Sequence, residues 1–480
     1  MTRFIQVGLT PFVLLACLDL RAQSAPVRQP NVLVILTDDQ RFDAMSCAGH
    51  PFLKTPNIDR LGSEGARFAN AFVTTSLCSP SRASLLSGKY AHALQVLNNF
   101  TDFPVDLPSY PRRLHEHGYE TAYIGKWHMG EQNDAQRPGF DYWMSHKGQG
   151  NYFDNEFNIN GRREVIKGYY THVVTEHAVD FLKRKHDKPF LLILGHKAPH
   201  GGPIVPEPKY EHFLDDIAIT KPASADLDPG KPDWLRISRP TWHGIEGPLY
   251  GQKEFGKFVR AYLGTIASVE DSMGRILKAL EDTNHLDDTI IIYTSDNGFA
   301  LGDHARVDKR TMYEESIRVP LLVRYPRLIP KPTVVKEMVL SVDLAPSILD
   351  LCGAAPLEKI DGKSWKPLLA GDNAGWRKSW HYAYNYEKEF PYTPNVRGVR
   401  TAEWKYIHYP HGDGRPDRHK AELYNLKDDP LEMKNLIDDP KHAAKLAELK
   451  AELERLLNET GALPDRMPLD EGIKNVLPKY

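Results

Sequence analysis

The chain has few cysteines and no surplus of charge of either sign. Its 480 residues include four cysteines, 61 lysines and arginines, and 63 aspartates and glutamates, for a formal net charge of −2. Few and widely spaced cysteines exclude a disulfide-rich scaffold and a thiolate zinc site. Balanced charge argues against a nucleic-acid-binding surface. A site for an anionic ligand must therefore be local.

Long apolar runs are scarce as well, and the one near the N-terminus predicts export. Arg3 precedes an apolar stretch from Phe4 to about Leu18, and small residues follow. We interpret residues 1–24 as a signal peptide, because this stretch is short for a transmembrane helix. Leu14 to Cys17 is similar to a lipoprotein cleavage box, which leaves a lipid anchor at Cys17 as the alternative. The expected location is periplasmic or secreted.

Removal of this leader would leave three cysteines: Cys47, Cys78 and Cys352. An odd number in an exported protein predicts that at least one thiol is unpaired or chemically altered. Cys78 is the candidate, although a single cysteine is most often a buried inert thiol. It precedes a helix expected to start at Pro80, where free backbone N–H groups favour an anion, and Arg82 adds positive charge. Packing, metal binding and nucleophilic attack all remain open for this thiol.

Buried apolar strands alternate with helical patterns along most of the chain. The strands are expected at residues 31–36, 119–125, 190–195 and 289–295. This alternation predicts an α/β fold with a largely parallel, doubly wound sheet. From about residue 375 short aromatic strands precede an amphipathic helix at residues 442–460. We therefore expect a catalytic domain at residues 29–374 and a C-terminal subdomain at residues 375–480.

Polar side chains follow the predicted strands where each strand ends. They are Asp38, Asp39, Lys126, His128, His200, Asp296 and Asn297. In a parallel sheet the carboxyl ends of the strands meet at one edge, where ligands bind. Three carboxylates and an amide oxygen suit calcium better than zinc or copper, and magnesium would also fit.

Each of these signals also has an ordinary structural explanation. Asp38 and Asp39 could cap a turn, and Asn297-Gly298 is a strong hairpin signal. Lone histidines such as His200 are mostly incidental in loops. Lys309 lies in a charge-rich stretch of the kind that usually faces solvent. A functional site is favoured only because these residues are expected to converge on one edge of the sheet.

Residues 78–82, CSPSR, and the following ASLLSGKY resemble the signature of type I sulfatases of the alkaline phosphatase superfamily. The resemblance extends over about residues 31–460. It implies an alkaline-phosphatase-like α/β fold, in which helices sandwich a large, mostly parallel sheet and a small C-terminal antiparallel sheet packs with a helix. In that family a maturation enzyme oxidises the cysteine to Cα-formylglycine. The resemblance thus implies that Cys78 becomes the nucleophile.

The resemblance also implies roles for the other candidate residues. One calcium ion would be held by Asp38, Asp39, Asp296, Asn297 and the modified Cys78. Arg82 would hold the formylglycine, and four residues would surround the sulfate and the leaving oxygen: Lys126, His128, His200 and Lys309.

The implied activity is hydrolysis of sulfate esters on sulfated carbohydrate. Residues 139–161 and 196–210 are similar to exported glycan sulfatases, especially N-acetylglucosamine-6-O-sulfatases and heparan-type enzymes. Four side chains are candidates for a sugar subsite: Tyr152, His381, Tyr384 and His408. An enzyme alternative is a phosphodiesterase or phosphonate monoester hydrolase of the same superfamily. A non-enzyme alternative is a sulfated-glycan-binding protein that keeps the thiol.

Overall fold

The computed structural model describes residue 2 and residues 29–247, 254–411 and 419–474. Apart from residue 2, the expected signal peptide lies outside the described residues, and so does the alternative lipid anchor at Cys17. Within those ranges, none of the helices combines the length and the apolar character that crossing a bilayer requires.

Ten strands build the large sheet. In chain order they are β1 Asn31–Thr37, β2 Ala66–Phe72, β3 Glu120–Gly125, β4 Tyr142–Ser145, β5 Glu156–Ile159, β6 Arg162–Val165, β7 Phe190–Gly195, β8 Thr289–Ser295, β9 Leu321–Arg324 and β10 Thr333–Leu340. Their spatial order is β10-β2-β9-β8-β1-β7-β3-β4-β5-β6. The five strands from β8 to β4 run parallel, whereas β9, β5 and β6 pair antiparallel with their neighbours. The sheet is therefore mixed, with a parallel centre.

Eleven α-helices lie in the described ranges. They are α1 Pro56–Ser63, α2 Cys78–Ser87, α3 Ala91–Leu94, α4 Tyr110–Glu116, α5 Tyr170–Lys183, α6 Asp233–Ile237, α7 Phe255–Asp282, α8 Glu314–Ile317, α9 Leu344–Leu351, α10 Lys366–Leu369 and α11 Ala443–Glu459. Alternate side chains of β1 enter two different cores, because successive residues of a strand face opposite sides. Val32 and Val34 pack on the side of α2, α4 and α9, whereas Leu33 and Ile35 pack on the side of α5 and α7. Helices thus cover both faces of the sheet, as predicted.

A second, four-stranded antiparallel sheet follows near the C-terminus. Its strands are β11 Ser379–Tyr384, β12 Val396–Thr401, β13 Trp404–His408 and β14 Glu422–Asn425. Leu449, Leu453 and Leu457 of α11 pack on Val399 and Tyr406 of this sheet. The predicted fold class is confirmed, while the domain bounds at residues 374 and 375 stay a prediction.

Candidate active site

The carboxyl ends of β8, β1, β7 and β3 lie side by side at one edge of the sheet. Thr37 is in register with Ser295, and Gly195 is in register with both Leu36 and Gly125. The two glycines approach so closely that a Cβ on Gly125 would lie 2.0 Å from the carbonyl oxygen of Gly195. This alignment brings the polar residues after each strand into one cluster, as the sequence predicts.

Three buried ion pairs form the floor of this cluster. Each joins a carboxylate at the end of β1 or β8 to a cation from a distant part of the chain. Arg82 Nε donates to Asp296 Oδ2 over 2.7 Å, Lys309 Nζ donates to Asp39 Oδ1 over 2.6 Å, and Lys126 Nζ donates to Asp38 Oδ2. The carboxylates and these cations therefore neutralise one another one for one.

The oxygen atoms of the floor fit a divalent cation. The side-chain amide of Asn297 donates to Asp39 Oδ1 over 2.6 Å, but its buried Oδ1 has no hydrogen-bond partner among the described residues. Burial and the nearby charge of Asp38 raise the pKa of Asp296 to about 7. The pKa of Asp39 is raised as well, chiefly by burial, whereas the surrounding cations hold the pKa of Asp38 well below its usual value in spite of burial. Two carboxyls that resist ionisation and an orphaned amide oxygen are features that a bound calcium or magnesium ion would satisfy. Asp38, Asp39, Asp296 and Asn297 are the residues that would hold it.

Cys78 lies directly above these oxygens at the first residue of α2. Its Sγ accepts a hydrogen bond from Lys309 Nζ at 2.9 Å and lies 3.5 Å from Asp38 Oδ1. Burial raises the pKa of the thiol well above its usual value despite the Lys309 ammonium. Because the thiolate is the reactive form, the unmodified side chain is a poor nucleophile.

Two histidines flank the cluster. His200 Nε2 lies 3.8 Å from Asp39 Oδ2, with 13 % of the side chain exposed. His128 is fully enclosed in a left-handed backbone conformation (φ 46°), a strained state typical of functional sites. Its Nε2 lies 2.9 Å from Glu131 Oε1, and its buried Nδ1 has no hydrogen-bond partner among the described residues. Burial and the charge of Lys126 lower the pKa of both imidazoles, so both rings are neutral at rest.

The site contains three further residues that the sequence patterns do not single out. Gln149 accepts a hydrogen bond from Lys126 Nζ at 2.5 Å, and no sequence pattern marks it. Glu131 follows His128 by three residues, a spacing that would have suggested the contact. Lys197 stands in the same HKAPH segment as His200.

An open cleft of about 1140 Å³ leads from the surface to Asp39, His200 and Lys309. One group of its lining residues is aromatic and another is polar. The aromatic group includes Phe100, Trp242, Phe299 and Phe390, and the polar group includes Asn99, Asp102 and Asn133. Aromatic faces and hydrogen-bonding side chains together suit a sugar ring.

The four aromatic candidates for a sugar subsite are placed differently from the prediction. None of them lines this cleft. Tyr152, His381 and Tyr384 are buried, and each has a hydrogen-bond partner inside the protein, although Nδ1 of His381 has none among the described residues. The Tyr152 hydroxyl, for example, donates to the main-chain oxygen of His200 over 2.9 Å. His408 lies on β13 of the small sheet. Packing, rather than sugar contact, explains these side chains.

Comparison with known proteins agrees with this geometry. The family model described as sulfatase matches residues 30–354, and the model described as the C-terminal part of N-sulphoglucosamine sulphohydrolase matches residues 302–459. The chain is 33% identical to an N-acetylglucosamine-6-O-sulfatase of Bacteroides thetaiotaomicron, over 91% of this chain and 87% of that protein. It is 32% identical to the N-acetylglucosamine-6-sulfatase of Homo sapiens, over 76% of this chain and 69% of that protein.

A solved structure shows the same relationship. It is a complex of a protein with its substrate D-glucosamine-2-N,6-O-disulfate, and it superposes with a TM-score of 0.84 and 32% identity, covering 92% of this chain and all of that one. The alkaline-phosphatase-like architecture inferred from the sequence is thereby confirmed. The chain belongs to the sulfatase family and is a sulfuric ester hydrolase.

Proposed function

We propose that the protein is an exported glycan sulfatase that removes the 6-O-sulfate from glucosamine residues. The observation that carries the proposal is the convergence of Asp38, Asp39, Asp296 and Asn297 beside residue 78 at the end of an open cleft. The choice of sugar is supported by the relatives named N-acetylglucosamine-6-sulfatase and by the neighbour solved with a glucosamine disulfate.

The oxygen cluster is proposed to hold one calcium ion. When bound, the ion supplies positive charge that stabilises anionic oxygens and lowers the pKa of a coordinated hydroxyl. Arg82 acts on this cluster from below, because its guanidinium donates to Asp296 Oδ2 and to the main-chain oxygen of Lys126. It keeps the carboxylate and the Lys126 segment in fixed positions.

Residue 78 is proposed to be converted from cysteine to formylglycine by a maturation enzyme. The hydrated aldehyde would supply one hydroxyl as nucleophile and a second whose deprotonation lets sulfate depart. The neutral, buried thiol of Cys78 supports this proposal, because the unmodified side chain offers neither group.

The side chains around residue 78 have separate tasks in the reaction. Lys309 lines the cleft, and the buried ammonium of Lys126 lies beside Asp38 in the same cluster; the two lysines are proposed to bind the oxygens of the sulfate ester. His200 reaches the cleft and donates a proton to the departing sugar oxygen. Its pKa is low in the substrate-free site, and a bound sulfate anion raises it. General-acid catalysis of this kind typically contributes ~10²- to 10⁴-fold in rate.

His128 is proposed to act as the base on residue 78. Glu131 accepts a hydrogen from Nε2, which leaves the lone pair of Nδ1 free to take a proton. The neutral state of the ring suits this role. Glu131 is thus a positioning residue that selects the tautomer.

The proposal is tested with matured, calcium-loaded enzyme and a matched panel of substrates. N-acetylglucosamine 6-sulfate should release inorganic sulfate, and an aryl phosphodiester should be a much poorer substrate than the matching aryl sulfate. A strong preference for the phosphodiester would favour the phosphodiesterase alternative. Saccharide binding without sulfate release by fully matured enzyme would favour a glycan-binding protein.

A further inference from the structure

Lys197 is one of two lysines that line the cleft, the other being Lys309, and it has no role in the proposed reaction. It follows β7 in the segment that carries His200 and lines the cleft together with His200 and Lys309. Only 4% of the residue is exposed. A buried ammonium facing a substrate cleft calls for a partner of opposite charge.

Two neutral groups fix the position of this side chain. Lys197 Nζ donates to the main-chain oxygen of Gln149 over 3.2 Å, and it lies 5.0 Å from the centre of the Tyr152 ring. The side chain of the same Gln149 accepts a hydrogen bond from Lys126. Gln149, which lines the cleft, therefore accepts hydrogen bonds from two ammonium groups without neutralising the charge of either.

The charge environment of Lys197 differs from that of the other two site lysines. Lys126 is paired with Asp38 and Lys309 with Asp39. Within the described ranges, Lys197 forms no ion pair with any carboxylate. It is the surplus cation of a floor whose other charges cancel.

The charged form of a buried lysine without a carboxylate partner is unfavourable, and a bound anion would stabilise it. Burial and the charge of Lys126 lower the pKa of Lys197 to about 7, while Asp38 and Asp39 oppose the shift. Such perturbed groups in a cleft are typical of functional sites. An anionic ligand next to Nζ would supply the missing counter-charge.

We propose that Lys197 is a third sulfate-binding lysine, whose ammonium donates a hydrogen bond to an oxygen of the sulfate ester. The inference rests on the proposed function, because it assumes that the sulfate group sits between Lys126, Lys309 and residue 78. The loop after β7 then provides both the anion-binding Lys197 and the proton donor His200. Lys197 favours substrates that carry the anion at this position over neutral sugars.

The test compares three variants with the wild-type holoenzyme. Lys197→Met removes the charge, Lys197→Arg keeps it, and Lys147→Met removes an exposed lysine of a nearby loop as a matched control. The measurements are the Kd of inorganic sulfate by calorimetry, and kcat and KM for N-acetylglucosamine 6-sulfate. A hydrogen bond to a charged group is worth about 10- to 100-fold in affinity.

We expect Lys197→Met to weaken sulfate binding and to raise KM by about 10- to 100-fold. Lys197→Arg should lose much less, and Lys147→Met should match the wild type. Lys197→Gln, which keeps a hydrogen-bond donor without the charge, gives the same comparison if the methionine variant does not fold. Wild-type values of Kd and KM in folded Lys197→Met or Lys197→Gln would overturn the inference.

The two proposals fail in distinguishable ways. A wild-type enzyme that binds sulfate through Lys197 but does not desulfate the saccharide supports the inference and refutes the proposed substrate. An active enzyme whose sulfate affinity is independent of Lys197 refutes the inference alone. A protein that neither binds sulfate nor releases it contradicts both.

Discussion

The Arg82 ion pair makes a quantitative prediction about stability. Arg82 is 2% exposed and is joined to Asp296, which is fully buried. Arg82→Met keeps much of the side-chain volume but leaves the Asp296 carboxylate without its cation. Removing one partner of a buried pair costs about 3–5 kcal/mol. Here the cost comprises the proton that Asp296 takes up at pH 8 without its cation, and the loss of the hydrogen bonds from Arg82 to Asp296 and to the main-chain oxygen of Lys126.

This cost translates into a measurable change in melting temperature. An unfolding entropy of about 2.1 cal/mol/K per residue gives about 1 kcal/mol/K for a chain of 480 residues. We therefore expect Arg82→Met to lower the Tm of the calcium-free protein by about 3–5 °C at pH 8, measured by circular dichroism.

Arg60 provides the matched control. It forms ion pairs with Glu64 and Glu281 at the surface, where its side chain is 33% exposed. Exposed pairs contribute about 0–1 kcal/mol, so Arg60→Met should shift the Tm by about 1 °C or less. Equal shifts in the two variants would refute the assignment of Arg82 as a buried counter-charge.

Three further predictions concern the chemistry. Cys78→Ala should reduce turnover by at least about 10⁴-fold. The Tm should change by only about 1 °C, because only one buried sulfur atom is lost. Near-native rates would contradict the assignment of residue 78 as the nucleophile. Chelation should abolish activity and lower the Tm by about 3 °C relative to protein in calcium at a hundred times its Kd. Added calcium should restore both. Undiminished activity in metal-free protein would show that the reaction does not need the cation. Since the pKa of Lys197 is lowered to about 7 by burial and by Lys126, its charge is present below pH 7 and lost above it. In calcium-loaded enzyme, where the bound ion would keep Asp296 ionised, sulfate affinity should therefore fall between pH 6 and pH 8.5 in the wild type but stay level in Lys197→Arg. A level wild-type profile would count against this role.

The parallel centre of the sheet and its polar edge could be predicted from the sequence. Strands such as β1 and β8 are continuous apolar runs, which identify strands buried on both faces. Once such strands are parallel, the residues that follow them must meet. Asp38 and Asp296 lie 258 residues apart in sequence, yet this rule alone brings them to one cluster.

Short sequence patterns are less reliable predictors of structure where the same residues can be present for more than one reason. Asn297-Gly298 does not form a hairpin. A Cβ at residue 298 would lie 2.1 Å from the carbonyl oxygen of Glu315, so glycine is required there. The side chain of Asn297 donates to Asp39 Oδ1 and so belongs to the oxygen cluster. Asn160-Gly161, in contrast, does connect the paired strands β5 and β6 with positive φ angles at both residues.

The start of α2 shows a second limit of sequence patterns. The helix begins at Cys78, two residues before the expected start at Pro80. Proline is tolerated anywhere in the first turn, where backbone N–H groups have no partner within the helix, so it marks a helix start only to within a few residues. Residue 78 is therefore the first residue of the helix itself, and it lies next to the free N–H groups of the first turn.

Side-chain partners across long loops could not be predicted. Lys309 reaches both Asp39 and Cys78, although its charge-rich surroundings suggested a solvated surface. The aromatic candidates for the sugar subsite failed for a related reason. Tyrosine and histidine are equally suited to cores and to clefts, and only the packed structure distinguishes the two.

The state of residue 78 in active enzyme tests the central claim most directly. Peptide mass spectrometry, combined with calcium analysis and a sulfate-release assay on the same preparations, measures it. Specific activity should rise in proportion to the fraction of aldehyde at position 78 in calcium-loaded protein. Full activity in protein that carries only an unmodified thiol at this position would contradict the account.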